Sequence, residues 1–315
     1  MTRYLIRRLL QLVPVVLIAS LAIWAMIYAV PGWPVGALLG QNATPQEIAA
    51  VTHKLGLDRP VLVQFGDWLS NAVQGNLGVS ITSSVPVDHL IAQRLPATIQ
   101  LGIAATIVGL LLGVPVAFLG ALLPGSWVDR ALSGWSALAL GVPTFWLGIL
   151  LILLFSVQLH WLPSASAYVP FFQAPLQAVR NLLMPASTLG IYVSGIFARF
   201  LRASLVSELK ADYVRTARSK GLRERDVIVR HVMRNALLPF VTIVGLMMAT
   251  FIGGTVVTEA VFTYPGIGTL LVGAISQRDY PLIQGCILVI LILYMVIGLL
   301  IDLLYAYIDP RIEHG

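Results

Sequence analysis

The sequence predicts an all-α integral membrane protein with six transmembrane helices. Three observations carry that expectation. The chain is 58% hydrophobic and only 11% charged, whereas a soluble domain is roughly one quarter charged. No Asp, Glu, Lys or Arg occurs in 9–46, 95–128, 131–179, 235–258 or 281–301, and a helix crosses a bilayer with about 20 apolar residues. The segments of about 10 residues with alternating polarity that mark a transmembrane barrel do not occur.

In chain order, Arg3, Arg7 and Arg8 precede the apolar run 9–30. A cleaved signal peptide would have an apolar core of about 7–15 residues. This run has 22 and is read as an uncleaved first helix, so 1–30 is the N-terminus with helix one. Residues 31–94 are polar enough to form an outer, extracytoplasmic segment. Thr44-Pro45-Gln46-Glu47 has the form of a capping box, which predicts a helix to about Leu55. A second short helix is expected from near Pro60, carrying Phe65 and Trp68. The core, 95–307, then holds five spans: 95–122, about 131–157 with a kink at Pro143, about 183–205, about 236–258, and about 281–307. Between them lie a loop over 158–182, a charged loop over 206–235 and an outer loop over 259–280. Residues 308–315 form a short tail. Gly109 and Gly113 have the spacing of closely packed helices, read as ordinary packing.

Six spans place both termini on one face. That face carries fifteen of the twenty Lys and Arg residues. The other carries five: Lys54, Arg59, Arg94, Arg180 and Arg278. The positive-inside rule makes the first face cytoplasmic. The net charge of +6 is then a topology signal, and nucleic acid is not an expected partner. Cys286 is the only cysteine and reads as a packing residue. His160 and His231 each stand alone, so no metal site is expected.

The most charged stretch, 212–240, reads as two helices broken at Gly221, a residue suited to a left-handed stop. Tyr213, Val214 and Ala217 lie near one face of the first helix; Val227, Ile228, His231 and Val232 share a side of the second. Ala217 precedes Gly221 by four positions, a spacing of small residues that would let another protein approach. Asn235 to Pro239 leads straight into helix five.

This stretch resembles the cytoplasmic "EAA" coupling loop of binding-protein-dependent ABC importer permeases. The usual pattern is Glu-Ala-Ala, three residues, Gly, and a later Leu-Pro. Here Arg215-Thr216-Ala217 stands in place of Glu-Ala-Ala, with Gly221 three residues on, and Leu238-Pro239 lies further from the Gly than usual. These departures are those of the dipeptide/oligopeptide/nickel permeases, with Arg-Thr-Ala-Arg-x-Lys-Gly at 215–221 and Arg-His-x-x-Arg-Asn-Ala-x-x-Pro at 230–239. The start (3–8), the segments 55–60 and 75–80, and the C-terminal motifs at 259–268, 278–281 and 309–311 are similar to the same subclass. The long segment after helix one resembles its first, "B-type", subunit.

The resemblance implies one permease subunit of an ATP-driven importer in a bacterial or archaeal cytoplasmic (inner) membrane, moving peptides or a related small solute. Nickel chelates and glutathione are alternative cargoes. A stand-alone channel and a membrane enzyme are rival readings. Expected partners are a second permease subunit, two ATPase subunits, an extracytoplasmic solute-binding protein and membrane lipid. No G-x-x-x-x-G-K-[ST] sequence occurs, so the chain is expected to be no enzyme. ATP and Mg would be held by the partner subunits. The resemblance assigns ATPase coupling to Arg215, Ala217, Arg218, Gly221, Leu222, Arg225, His231, Arg234 and Pro239. Thr98, Gln100, Thr250, Thr255, Glu259, Tyr264, Pro265 and Gly266 are taken as translocation-path or outer-gate residues. For Glu259 a helix-end position in interfacial water is the competing reading.

Overall fold

The computed structural model describes residues 2–29, 44–46, 52–53 and 58–308. Its helices are α1 (Thr2–Ala29), α2 (Val61–Val73), α3 (Val87–Leu122), α4 (Trp127–Gly141), α5 (Thr144–Leu151), α6 (Pro175–Leu209), α7 (Asp212–Ser219), α8 (Glu224–Asp226), α9 (Met233–Gly254), α10 (Val256–Val261), α11 (Ile267–Ser276) and α12 (Tyr280–Ile308). Wider π turns follow α5 over Ile152–Gln158 and join α8 to α9 over Val227–Val232. Among the described residues there is no strand, only an isolated bridge between Val79 and Pro86. Thr44 precedes helical Pro45 and Gln46, and Thr52 and His53 are helical as well; the remaining residues of the helix expected to Leu55, 47–51 and 54–55, lie outside the described residues.

Four helical stretches are long and apolar enough to cross a membrane: Val87–Leu122, Pro175–Leu209, Glu224–Phe251 and Tyr280–Leu304. The pair Trp127–Gly141 and Thr144–Gln158 makes a fifth if counted as one broken span. The apolar part of α1 that is described runs over Leu10–Met26.

Three of the boundaries that differ from the sequence reading have a local reason. The helix expected from Leu95 begins at Val87. Val87 and Ile91, one turn apart, are buried in an apolar cluster, so the helix starts before its uncharged portion. Likewise α6 begins at Pro175, inside the expected loop, with proline at the first turn where its missing N–H is harmless. At Pro143 the chain breaks rather than kinks. Val142 is extended, as a residue before proline prefers, and the two helices meet at 98°.

The chain divides into two compact units, chiefly Ala97–Pro265 with Tyr294–Gly315, and Thr2–Pro96 with Gly266–Leu293. In the first unit α6 is central. Its Val193, Phe197, Leu201 and Leu205 are buried among Ala97, Leu101 and Ala105 of α3 and Ala236 and Phe240 of α9. The Phe197 and Phe240 rings meet edge to face at 5.4 Å. In the second unit Val87 and Ile91 pack with Ile267, Ala274, Leu282, Ile283 and Cys286. The Trp24 ring of α1 meets Phe65 of α2 at 5.7 Å.

The Gly109/Gly113 spacing is used where α3 crosses α6. A Cβ at Gly113 would stand 2.8 Å from the Ser194 carbonyl and 2.9 Å from the Phe197 Cβ. The obstacle is largely backbone, so a larger residue must push the helices apart. We expect Gly113→Leu to cost about 3 kcal/mol, the upper end for overpacking. Thermal unfolding of the detergent-purified protein checks this against Gly134→Leu, where a Cβ meets nothing within 4 Å.

Candidate functional site

The charged segment is built around a helix stop. In α7, Val214 and Ala217 face the core while Arg215 and Arg218 face solvent. The Tyr213 hydroxyl donates to the Glu208 carboxylate. Burial of the Tyr213 phenol, reinforced by Glu208, pushes its pKa up. After α7, Gly221 takes φ +74°. Its N–H donates to the Arg218 carbonyl at 3.0 Å, and the Leu222 N–H reaches the Ala217 carbonyl at 3.4 Å. Those two bonds form a Schellman motif, with Gly221 in its left-handed position. The turn leaves Leu222 43% exposed.

Across the break, Arg218 donates to both Glu224 oxygens, at 2.6 and 3.1 Å. The hydrogen bond from Arg218 holds the Glu224 carboxyl below its ordinary pKa. Arg215 lies 3.8 Å from Asp212, and Arg230 lies 3.6 Å from Asp226. Arg225 and Arg234 are exposed and His231 is half-buried. The Arg218–Glu224 pair is largely in water, so it contributes about 0.2–1 kcal/mol at most. Arg218→Ala is therefore expected to change thermal stability by less than about 1 kcal/mol, read by the melting temperature of the purified protein.

One expectation is corrected. Ala217 is 7% exposed and belongs to the internal core beside Val214 and Val227. Its small side chain serves packing within this chain, so it offers no surface for an outside protein to approach. The exposed apolar group at this point is Leu222. Pro239 lies inside α9, within the helix expected over about 236–258.

The helix that begins at Glu224 continues to Phe251, a length of about 42 Å at 1.5 Å per residue. Just past its far end lies the second cluster. Glu259 of α10 is fully buried. Its Oε1 accepts from the Thr98 hydroxyl of α3 at 2.8 Å and from the Thr255 hydroxyl at 2.9 Å. Interfacial water is thus not its environment, because α3 and α10 close over it. A buried carboxyl is tolerated only with such hydrogen bonds. The Glu259 carbonyl also accepts from the Tyr264 N–H at 2.8 Å, which folds the turn toward Pro265. Tyr264 is buried too, and desolvation raises its pKa, with Tyr168 and Glu259 adding to the shift. Gly266 caps α11, and its carbonyl accepts from the Thr269 hydroxyl.

The structure thus brings Thr98, Thr255, Glu259 and Tyr264 together. It does not bring in Gln100, which donates to the Val169 carbonyl at 3.0 Å, or Thr250, an exposed residue whose hydroxyl bonds the Leu246 carbonyl of its own helix.

A third cluster escaped the sequence reading. Asp279 is fully buried. It accepts from Ser80 Oγ at 2.5 Å, Thr82 Oγ1 at 2.9 Å, and the Ile81 and Thr82 N–H groups at 3.2 Å. It also accepts from the Leu282 N–H at 3.3 Å, the N-cap bond of α12. Burial alone would raise its pKa, but the Ser80, Ile81 and Thr82 donors outweigh that and leave it below the ordinary value. An Asp immediately before Tyr280-Pro281 and a long apolar run is a helix-start signal, and it was readable as one. The partners, Ser80 to Thr82 in the segment after helix one, were not.

Comparison with known proteins agrees with this architecture. The family described as binding-protein-dependent transport system inner membrane component matches residues 109–314. Its N-terminal counterpart matches residues 1–102. The chain belongs to this family. It is the permease component of an ABC importer. The glutathione transport system permease protein GsiC of Escherichia coli strain CFT073 is 40% identical over 314 residues, covering 100% of both chains. The "Probable peptide ABC transporter permease protein y4tP" of Sinorhizobium fredii is 39% identical over 311 residues, covering 99% of each. The fold is shared with a chain of the inward-facing MetNI methionine ABC transporter, at a TM-score of 0.56 and 16% identity over 70% of this permease and 96% of that chain. A chain of an amino acid ABC transporter with histidines gives 0.51 and 18%, over 70% and 94%.

Proposed function

We propose that this permease pairs with a second permease subunit to import peptides or glutathione-like solutes, driven by two ATPase subunits and fed by an extracytoplasmic binding protein. The relatives' peptide and glutathione systems support that cargo class. The proposed topology has six spans: α1, α3, the bent pair α4–α5, α6, the part of α9 beyond residue 235, and α12. Both termini and 206–235 face the cytoplasm, where fifteen of the twenty basic residues then lie. Residues 31–94 and 259–280 face the binding protein. ATP and Mg belong to the partner ATPases, and hydrolysis with them.

The observation that carries this reading is the Gly221 stop. It presents Leu222 and a rim of charged groups on a short surface helix, and the next helix runs unbroken toward Glu259. A tilt imposed at Leu222 by an ATPase would be carried along that helix to the buried carboxyl cluster. Interface energy is concentrated in a few central apolar contacts, so Leu222 is the proposed anchor, and Arg215, Arg218, Arg225 and Arg234 form the rim. Glu259 with Thr98 and Thr255 is the proposed outer gate.

Proteoliposomes test this. The complete set of subunits should accumulate labelled glutathione or tripeptide only with ATP and binding protein. This chain alone should neither hydrolyse ATP nor pass solute. Solute flux through the chain alone would favour a channel and overturn the proposal.

A further inference from the structure

We propose that a cavity between α3, α4 and α6 is a binding site for the phosphate headgroup of an anionic phospholipid. The cavity has a volume of about 220 Å³ and is lined by Arg199, Arg202, Ser133, Ser136, Val116 and Leu132, among others. It lies beside a close approach of α4 and α6, where a Cβ at Gly195 would stand 3.0 Å from the Ser136 carbonyl. At about 30 Å³ per water, it holds several waters' volume, enough for a phosphodiester and its adjoining glycerol oxygens.

The charges around the cavity are unequal in their use. Arg202 is committed: its Nε and an Nη each bond Asp129, at 3.0 and 2.9 Å. Gly120 makes this possible, since a Cβ there would stand 3.1 Å from the Arg202 Cδ. That pair is close to neutral and fixes one wall. Arg199, one turn earlier on the same face of α6, is exposed and has no ion pair among the described residues. Ser136 gives its hydrogen to the Leu132 carbonyl, while the Ser133 hydroxyl has no bond among the described residues and can donate. The site therefore offers one uncommitted cation and one uncommitted hydroxyl donor, against apolar walls from Val116 and Leu132. A lipid phosphodiester carries one negative charge, three or more acceptor oxygens and an attached apolar tail, which matches that inventory. Trp127, 75% exposed at the start of α4, is the residue type that marks the membrane–water interface. Basic pockets between transmembrane helices on the cytoplasmic side favour anionic headgroups.

The inference rests on the membrane placement but not on the cargo or the ATPase contact. It is tested on the assembled transporter in nanodiscs of phosphatidylcholine with phosphatidylglycerol, followed by native mass spectrometry. The wild type should retain phosphatidylglycerol in preference to phosphatidylcholine. Arg199→Ala should lower that retention about fivefold, the factor equivalent to about 1 kcal/mol per basic side chain. Arg130→Ala, which lies outside the cavity, should leave it unchanged. Ser133→Leu, which fills the cavity while keeping the arginines, should also lower it. Equal retention in wild type and both cavity variants would overturn the site. Displacement of the lipid by excess inorganic phosphate would assign the cavity to a soluble phosphate and overturn the lipid reading. Failure of the transport assay described above would leave these lipid counts unaffected, so the two proposals fail separately.

Discussion

Gly221→Trp is expected to lower ATP-driven transport by well over about tenfold while leaving the permease folded in the membrane. Two facts separate the effects. A Cβ at Gly221 meets nothing within 4 Å, so the side chain starts out into open space. Its φ of +74° costs an L-residue about 1–2 kcal/mol, which is local strain at a surface turn. The Schellman bonds at Arg218 and Ala217 weaken with it, and Leu222 no longer leaves the turn at its native angle. Tryptophan also places a large ring on the surface proposed to meet the ATPase. Since 1.4 kcal/mol is a factor of ten in an equilibrium, strain plus obstruction suffices to uncouple the complex. Gly221→Ala should show the strain alone, with a partial loss. Uptake in proteoliposomes, alongside ATP hydrolysis by the same complex, separates the two; normal uptake by the Trp variant would refute the role of the turn.

The second large effect is expected at Asp279. Asp279→Ala removes the acceptor for five donors at once: the Ser80 and Thr82 hydroxyls and the N–H groups of Ile81, Thr82 and Leu282. A buried donor left unsatisfied costs about 1–3 kcal/mol, and a lost N-cap typically about 1 kcal/mol. The groups share one carboxylate, so these costs do not add; a total of about 3–4 kcal/mol is expected. Amide hydrogen exchange at Ile81 and Thr82 should quicken by about a hundredfold or more, at 1.4 kcal/mol per decade. Asp279→Asn, which keeps one oxygen acceptor, should fall between. The folded pKa of Asp279 is depressed. Its contribution is therefore complete above the unfolded value near pH 4 and fades only as the pH falls through the folded one. Exchange at Ile81 should show no added opening between about pH 5 and 8.

What the sequence disclosed followed from what composition can encode. Uncharged runs mark where a chain meets hydrocarbon, so the spans around Leu101, Val193 and Val244 were legible. They do not mark where helices begin. Val87 and Pro175 start helices outside those runs, because a helix end is set by caps and packing. Pro143 signalled a disturbance, but its size depended on where α4 and α5 find neighbours. Gly221 was legible because a left-handed stop has a residue signature. Ala217 was misread because a small residue looks the same from inside and outside a fold. Glu259 drew attention as a charge between apolar runs, yet its burial depended on Thr98, distant in sequence. The Asp279 cluster was hidden for the same reason: hydroxyls at Ser80 and Thr82 carry no sequence mark that points two hundred residues on.

The most direct test of the coupling account uses one thiol. Cys286 is the only cysteine and is buried, so a Leu222→Cys variant carries one accessible thiol, at the centre of the proposed contact. It is to be labelled with a short thiol-reactive photo-crosslinker in the assembled transporter and irradiated with and without ATP. The account predicts a crosslink to an ATPase subunit whose yield changes with nucleotide. An ATPase that assembles and supports transport but never crosslinks from position 222 would contradict it.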